Sequence, residues 1–353
     1  MVMVGMLDLA GPEKHLKAYP FAAVAKAEGI GFFYFQPQDV DLETKTIRGK
    51  FYEDGQWIEK QTTFPDVVYN ANGHVKSEEE QLIIEALKAL IPFTSWSVGN
   101  KMKVFNKLSK SALFSRYLPD TMEVKEVEAA IDFIHKKEQV ILKPRNGRKG
   151  KGIIYVRRME DEYEVRGDNE QQRMSRRMLS SLLTDKIPEK YIIQTFIQCR
   201  NQAGLVYDLR LHVQKDGTGR WTVCSIYPRI APPNSVKANI SSGGAALYIT
   251  PFLKQEFGED YFNMQRYLEV FAISISKEMD KLYRRSFDEL GIDIGIDSSG
   301  KVWLYEINWH PGAPPAFYLE LDVVKNSLAY CCYLAHASGA LLSLKSVKMD
   351  KQR

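Results

Sequence analysis

The spacing of apolar positions changes repeatedly along the chain, and each change marks a new element. Val2 to Leu7 and Gly31 to Gln36 are near-continuous apolar runs, which predicts two buried strands with a helix over Pro20 to Glu28 between them. A polar hairpin is expected from Asp39 to Lys60, and Asp66-Val67-Val68-Tyr69-Asn70 reads as another short buried strand. Over Ser77 to Leu90, residues Ile83, Ile84, Leu87 and Leu90 form one stripe at helical spacing, and Pro92 ends it. These elements predict a complete small α/β unit.

A further helix is predicted over Lys101 to Tyr117, stopped at Leu118-Pro119. The next strand-helix-strand unit closes on Val140-Ile141-Leu142-Lys143-Pro144. Beyond it the pattern predicts a strand from Gly152 to Arg157, a polar helix from Glu170 to Leu183 and a strand Tyr191-Ile192-Ile193-Gln194. Val206 to Ile249 reads mostly as strands and Met264 to Leu290 as one long helix. Ile292 to Asn308 reads as a hairpin turning at Ser298-Ser299-Gly300. His336, Ser338 and Gly339 interrupt the apolar stretch Leu328 to Leu344, which suits a packed terminal helix better than a membrane span.

Composition narrows the class. The chain has 353 residues, two to three times the length of one domain, with 48 Lys and Arg against 44 Asp and Glu. A net charge of +4 spread over that length gives no reason to expect nucleic acid as a partner. Cys199, Cys224, Cys331 and Cys332 have neither zinc-site nor disulfide-framework spacing, and the apolar start of the chain lacks a basic flank and a cleavage site. A cytoplasmic protein with no membrane segment is expected.

Two stretches carry candidate chemistry. Arg145-Asn146-Gly147-Arg148-Lys149-Gly150-Lys151-Gly152 follows a β-branched strand, with three glycines and four cations in eight residues. Glycines let a backbone approach phosphates closely and cations neutralise them; a solvated hairpin turn would look the same. Lys143 ends an apolar strand, where a buried ammonium calls for an anion, although its head could instead reach water. In the last hairpin, Glu306 and Asn308 are two residues apart and share a face. If Asp293 faces them, two carboxylates and an amide converge, a donor set suited to Mg²⁺; the other reading is a pair of exposed strand acids.

In order along the chain these features resemble the ATP-grasp superfamily. The landmarks are Asn106-Lys107-Leu108, Leu118-Pro119-Asp120-Thr121, Ile141-Leu142-Lys143-Pro144 with its loop, and Gln194-Thr195-Phe196-Ile197. Asp208-Leu209-Arg210, Asn239 with Gly243-Gly244, and Glu306-Ile307-Asn308 with Pro311-Gly312 complete the series. Taken with Phe64 to Asn70 and Ile307 to Gly312, nearly the whole chain is similar to the YheC/YheD family, ATP-grasp proteins described as endospore-coat-associated in bacilli.

The resemblance implies an α/β fold of α+β subdomains. A pre-ATP-grasp domain would span 1–95, and the two ATP-grasp subdomains 96–193 and 194–345, followed by a tail at 346–353. It implies that Lys107 and Lys143 hold the α and β phosphates of ATP, and that the amides of Gly147, Gly150 and Gly152 close over the β and γ phosphates. Gln194, Thr195, Phe196 and Ile197 would form the hinge and the adenine site, and Asp208 would reach the ribose. Asp293, Glu306 and Asn308 would bind Mg²⁺, with Arg210, Arg229, Asn239 and Lys237 near the transferring phosphate or the acceptor. The chain has Gln198-Cys199-Arg200 where many relatives place an acid for the ribose, which leaves that role for Asp208 less defined.

The implied reaction is ATP-dependent ligation of a carboxylate to an amine, on a small molecule or a peptide, through an acyl phosphate with release of ADP and phosphate. A homodimer and a link to sporulation and the spore coat also follow from the resemblance. His310 would bind the acceptor, act as a base, or simply support its loop. A phosphotransferase on the same fold, or a spore-coat protein with a vestigial site, stays open at this point.

Overall fold

The structure is a computed structural model that describes residues 1–71, 75, 77–147, 151–167, 171–233, 238, 243–312, 314 and 319–350, with side chains described up to residue 339. Three sheets are formed among the described residues.

The first sheet is built from β1 (Met3–Leu7), β2 (Gly31–Phe35), β3 (Val40–Asp41), β4 (Thr46–Glu53), β5 (Gln56–Thr63) and β6 (Val67–Asn70), with helices α1 (Ala18–Ala27) and α2 (Glu78–Leu90). Its order is β3-β4-β2-β1-β6, with β5 paired to β4 and β1 parallel to both neighbours. β1, β2 and β6 read as apolar because both of their faces are covered. Val4, Met6, Phe32 and Tyr69 pack on Phe21 and Ala25 of α1, while Phe33, Phe35 and Val68 pack on Ile84 and Leu87 of α2. The helix at the far end of the chain also covers the α1 side, through Val324, Leu328 and Cys331.

The second sheet, wholly antiparallel, contains β7 (Thr121–Glu123), β8 (Gln139–Pro144), β9 (Ile154–Arg158), β10 (Tyr163–Arg166), β11 (Gln171–Met174) and β12 (Tyr191–Thr195) in the order β11-β10-β9-β8-β12-β7. Helices α4 (Val127–Lys137) and α5 (Arg176–Lys186) cover this sheet, whereas α3 (Lys101–Leu108) packs Val104 and Leu108 with Leu211 and Phe271. Val140, Leu142 and Ile193 face the core formed with α4 and α5. The alternate residues Ile141, Lys143 and Gln194 line a cleft on the other side.

Two predicted helices differ here. The helix expected to run to Tyr117 stops at Leu108, because Ser111 Oγ accepts from the amides of Leu113 and Phe114 and so takes over the backbone's bonding. The polar helix expected from Glu170 begins at Arg176; Gln171–Met174 pairs with β10 as a strand, and Ser175 caps the helix. Glu170 lies outside the described residues.

The third sheet has β13 (Tyr207–Lys215), β14 (Trp221–Ile230), β15 (Ala245–Ala246), β16 (Glu289–Ile296) and β17 (Val302–Asn308), antiparallel in the order β15-β14-β13-β16-β17. Leu209, Leu211, Ile292, Ile294 and Leu304 pack on Leu268, Phe271, Ile275 and Met279, in a core shared with α6 (Ile249–Phe257) and α7 (Tyr261–Tyr283). Where one helix to Leu290 was expected, α7 ends at Arg284, which takes a left-handed φ of 51° and returns its N–H to Asp280 and Lys281; Leu290 lies inside β16. The C-terminal helix α8 spans Leu319–Asp350. No helix among the described residues is long and apolar enough to cross a membrane.

The first and third sheets meet over buried polar groups. Ser95, at φ 57°, donates from its amide (3.0 Å) and its hydroxyl (2.7 Å) to the two oxygens of Asp288. The adjacent Glu289 accepts from His212 at 2.6 Å and stands 3.6 Å from the Lys17 ammonium. Burial, with the Glu289 charge beside it, pushes Asp288 up to about 6. The native acid therefore binds its proton more tightly than the unfolded one, so stability falls as pH rises from about 4 to about 6 and the cost persists above. Asp288→Asn should raise the melting temperature at pH 7.5, by the equivalent of about 3 kcal/mol, and leave it nearly unchanged at pH 4. Thermal melts at the two pH values check this; destabilisation at both would mean that the carboxylate is needed in its charged form.

Candidate functional site

A cleft runs between the second and third sheets. Ile141, Lys143, Ile153 and Gln194 to Ile197 line it from one side, and Tyr207, Asp208, Arg229, Asp293, Tyr305 and Glu306 from the other. Residues more than 160 positions apart in sequence thus share one wall-to-wall space. Its cavity of about 130 Å³ is smaller than the ~300–1,000 Å³ of most ligand sites. A larger hollow of about 480 Å³, lined by Gly29, Asp66, Cys332 and His336 among others, opens to solvent and lacks converging charges.

The third sheet supplies the charge. Asp208 lies directly opposite Arg229 across β13 and β14, and Arg210 opposite Asp293 across β13 and β16. Asp208 and Arg210 are two apart on one strand, so all four side chains project from one face. The Arg229 fork bonds Asp208 at 2.6 and 2.7 Å and Asp293 at 3.2 Å. Arg210 donates to both Asp293 oxygens, from Nε and, at 3.1 Å, from its second nitrogen. Burial acts to raise Asp293, but the two guanidinium groups outweigh it and hold the carboxyl below the usual range.

Glu306 faces Asp293 directly, and Asn308 faces Gly291. A bulge between these strands leaves Tyr305 as the extra residue, so consecutive Tyr305 and Glu306 both reach the cleft where strict alternation would send one away. The Tyr305 hydroxyl lies 2.9 Å from Cys199 Sγ, and burial pushes that thiol up to about 12, leaving it inert. A Cβ on Gly295 would fall 2.1 Å from the Tyr305 oxygen, so only glycine leaves room for that ring.

On the opposite wall Lys143 has a neutral partner. Its ammonium donates to Gln194 Oε1 at 2.8 Å, and Gln194 Nε2 donates to Thr121 Oγ1 at 2.9 Å, which fixes the amide's orientation. Burial, only partly countered by Glu306, lowers Lys143 to about 8. The amides of Thr195 and Phe196 bond to Asp120 and Gln139 carbonyls, whereas the Ile197 amide donates to no described residue. Phe196 meets Tyr155 edge-on at 4.9 Å. Gly152 has φ 70°, and a Cβ there would meet the Tyr191 hydroxyl at 2.7 Å. Gly147 closes a turn onto the Pro144 carbonyl.

The structure does not bring every expected residue here. Lys107, expected at the phosphates, sits in the last turn of α3, where its ammonium bonds the Leu282 carbonyl at 2.8 Å and stands over the Tyr283 ring at 5.0 Å, at the carbonyl end of α7. Lys101 reaches the site instead, 3.2 Å from Glu306 and 2.7 Å from the Gly147 carbonyl. Asn-Lys occurs twice six residues apart, and the helix-start signal of Gly99 at φ 82° followed by the Asn100 cap distinguishes the first pair. Thr121 and Tyr305 were also missed as site residues; only pairing partners place them. Gly150, Lys237 and Asn239 lie outside the described residues.

Two antiparallel α+β units holding a charged cleft between them are the architecture of an ATP-grasp protein. The YheC/D-like ATP-grasp family model matches residues 90–334, and the chain belongs to that family. Endospore coat-associated protein YheD of Bacillus subtilis (strain 168) is 26% identical over 86% of this chain and 70% of its own length. YheC of the same organism is 25% identical, over 88% and 89%. Among solved structures, the ATP-grasp ligase PsnB complexed with minimal precursor, Mg and ADP superposes with a TM-score of 0.54 at 12% identity, covering 92% of this chain and 96% of PsnB. Fold and family support ATP binding and a ligase-type activity.

Lys143 gives the site a direct readout. In protein labelled with ¹³C at lysine Cε, one resonance absent from Lys143→Arg should titrate with a midpoint near pH 8. A midpoint above pH 10 would place the ammonium in water or against a charged partner.

Proposed function

We propose that the protein is an ATP-dependent carboxylate–amine ligase that forms an acyl phosphate and releases ADP and phosphate. The observation that carries this reading is the cleft itself: Lys101, Lys143, Arg210 and Arg229 gather with Asp208, Asp293 and Glu306 at and beside the space between two sheets. Four cations against three carboxylates leave one positive charge, less than a triphosphate needs, so a divalent cation completes the balance.

The donor chemistry fits Mg²⁺. Glu306 and Asn308 share a face, Glu306 stands opposite Asp293, and the Lys101 ammonium on Glu306 already occupies a place where positive charge is favourable. Asp293 is the more committed of the two acids, because both arginines hold it. No group of three metal-binding acids, histidines or cysteines is gathered among the described residues, so Asn308 and nucleotide oxygens would complete the shell. When bound, Mg²⁺ neutralises phosphate charge in the transition state.

The chain's own residues orient and neutralise. Lys143 holds a phosphate oxygen from the side of β8, and the Ile197 amide, with Ile141 and Phe196 as apolar faces, takes the adenine edge. Asp208 anchors Arg229, and Arg210 projects beside it toward the γ phosphate. A substrate carboxylate oxygen attacks the γ phosphorus and the bond to ADP breaks. The amine then forms its bond to the acyl carbon, inorganic phosphate leaves with the C–O electron pair, and the amine's proton passes to solvent. No protein nucleophile is required, consistent with the inert Cys199 thiol. A cytoplasmic site of action, a homodimer and a role connected with the spore coat belong to the same proposal; the last is supported by the names of the Bacillus relatives.

Glu306→Gln and Lys143→Ala should each weaken Mg-ATP binding at least tenfold, measured by calorimetry. ATP, Mg²⁺, hydroxylamine and a panel of carboxylates should yield a hydroxamate with one class of acid. A phosphorylated product without hydroxamate would replace the ligase with a phosphotransferase, and unchanged affinity in both variants would remove the site assignment.

A further inference from the structure

Lys101 touches both sides of the cleft. Its ammonium lies 2.7 Å from the carbonyl of Gly147, on the loop after β8, and 3.2 Å from Glu306 Oε1, on β17 of the other sheet. Its own amide lies 3.5 Å from the Arg145 carbonyl, so the start of α3 is seated on that turn. Local sequence fixes the position: Gly99 takes a left-handed turn, Asn100 Oδ1 accepts from the Lys103 amide, and Lys101 becomes the first helical residue.

The two acids that face each other here are held differently. Asp293 is buried and bonded by two guanidinium groups, whereas Glu306 is about a third exposed and pairs with one flexible ammonium. A partly solvated lysine pair is weak enough to exchange; the forked, buried arginine pairs are not. We propose that Lys101 is an exchangeable internal counter-ion: it competes with the divalent cation for Glu306, ties Gly147 to β17 while it does so, and transfers to the nucleotide phosphates when the cation takes the carboxylate. This rests on the reading of the cleft as an Mg-ATP site.

The device has a signature that a supporting lysine lacks. Removing Lys101 frees Glu306 for a metal but leaves that carboxylate unneutralised beside the phosphates of metal-free ATP, so the two affinities should move in opposite directions. A lysine that only held the loop in place would weaken both when lost. The full-length chain can be titrated with Mn²⁺ alone by electron paramagnetic resonance, and with ATP in EDTA by equilibrium dialysis.

Lys101→Met should bind Mn²⁺ roughly fivefold more tightly than the parent and metal-free ATP roughly fivefold more weakly. Lys101→Gln, which keeps a donor for the Gly147 carbonyl, should show the same gain for Mn²⁺ should the methionine variant fold poorly. Equal or weaker Mn²⁺ binding in both variants, with Glu306→Gln abolishing it, overturns the counter-ion role and leaves the Mg-ATP reading standing. Mn²⁺ and Mg-ATP binding both unaffected by Glu306→Gln would overturn that reading, and the proposal with it.

Discussion

The arrangement of Asp208, Arg210, Arg229 and Asp293 on one face of the third sheet is the interaction on which the site depends. Four ionised groups in a largely buried place are tolerable only because each is matched: the Arg229 fork holds Asp208 and also reaches Asp293, which Arg210 closes from the next strand. Antiparallel register sets these pairs, since Asp208 stands opposite Arg229 and Arg210 opposite Asp293. Removing one member would strand a buried charge at a cost of about 3–5 kcal/mol. The network is therefore a rigid, nearly neutral floor, and it gives little attraction to an anion by itself.

The attraction resides in the groups around that floor. Lys143 is buried against a neutral amide, so its charge is not cancelled by an adjacent carboxylate as those of Arg210 and Arg229 are. Lys101 and Glu306 form the opposite case, a weak pair at the rim that links the two sheets. A committed floor, an under-matched lysine and a partly solvated rim pair together suit a polyanion that arrives with its own cation. The buried joint between the first and third sheets, through Asp288, Ser95, Glu289, His212 and Lys17, fixes the N-terminal sheet beside this floor through β16, the strand that also carries Asp293.

Much of this was legible in the sequence wherever local pattern and tertiary need agree. Apolar runs gave β1, β2 and β6 because parallel strands are covered on both faces, and the run Val140 to Lys143 gave β8, although only the packing shows which of its residues face the core and which the cleft. Helix ends were less legible, because Ser111 and Arg284 stop helices by side-chain bonding and a left-handed residue, signals that periodicity does not carry. Among site residues, Lys143, Asp293 and Glu306 stood out as charges in apolar strands. Lys101 did not, since its neighbours resemble those of Lys107 until the Asn100 cap is weighed. Thr121 and Tyr305 matter only through partners 73 and 106 residues away, which no local pattern encodes.

In the proposed function Mg-nucleotide binds between the second and third sheets and not at the ends of the parallel strands of the first. Hydrogen–deuterium exchange with and without Mg-ADP distinguishes the two places. Slowed exchange is expected in Gln139–Pro144, at residues 194–197 and in Val302–Asn308, with β1 and β2 unchanged. Protection confined to the first sheet, with the cleft strands unaffected, would contradict it.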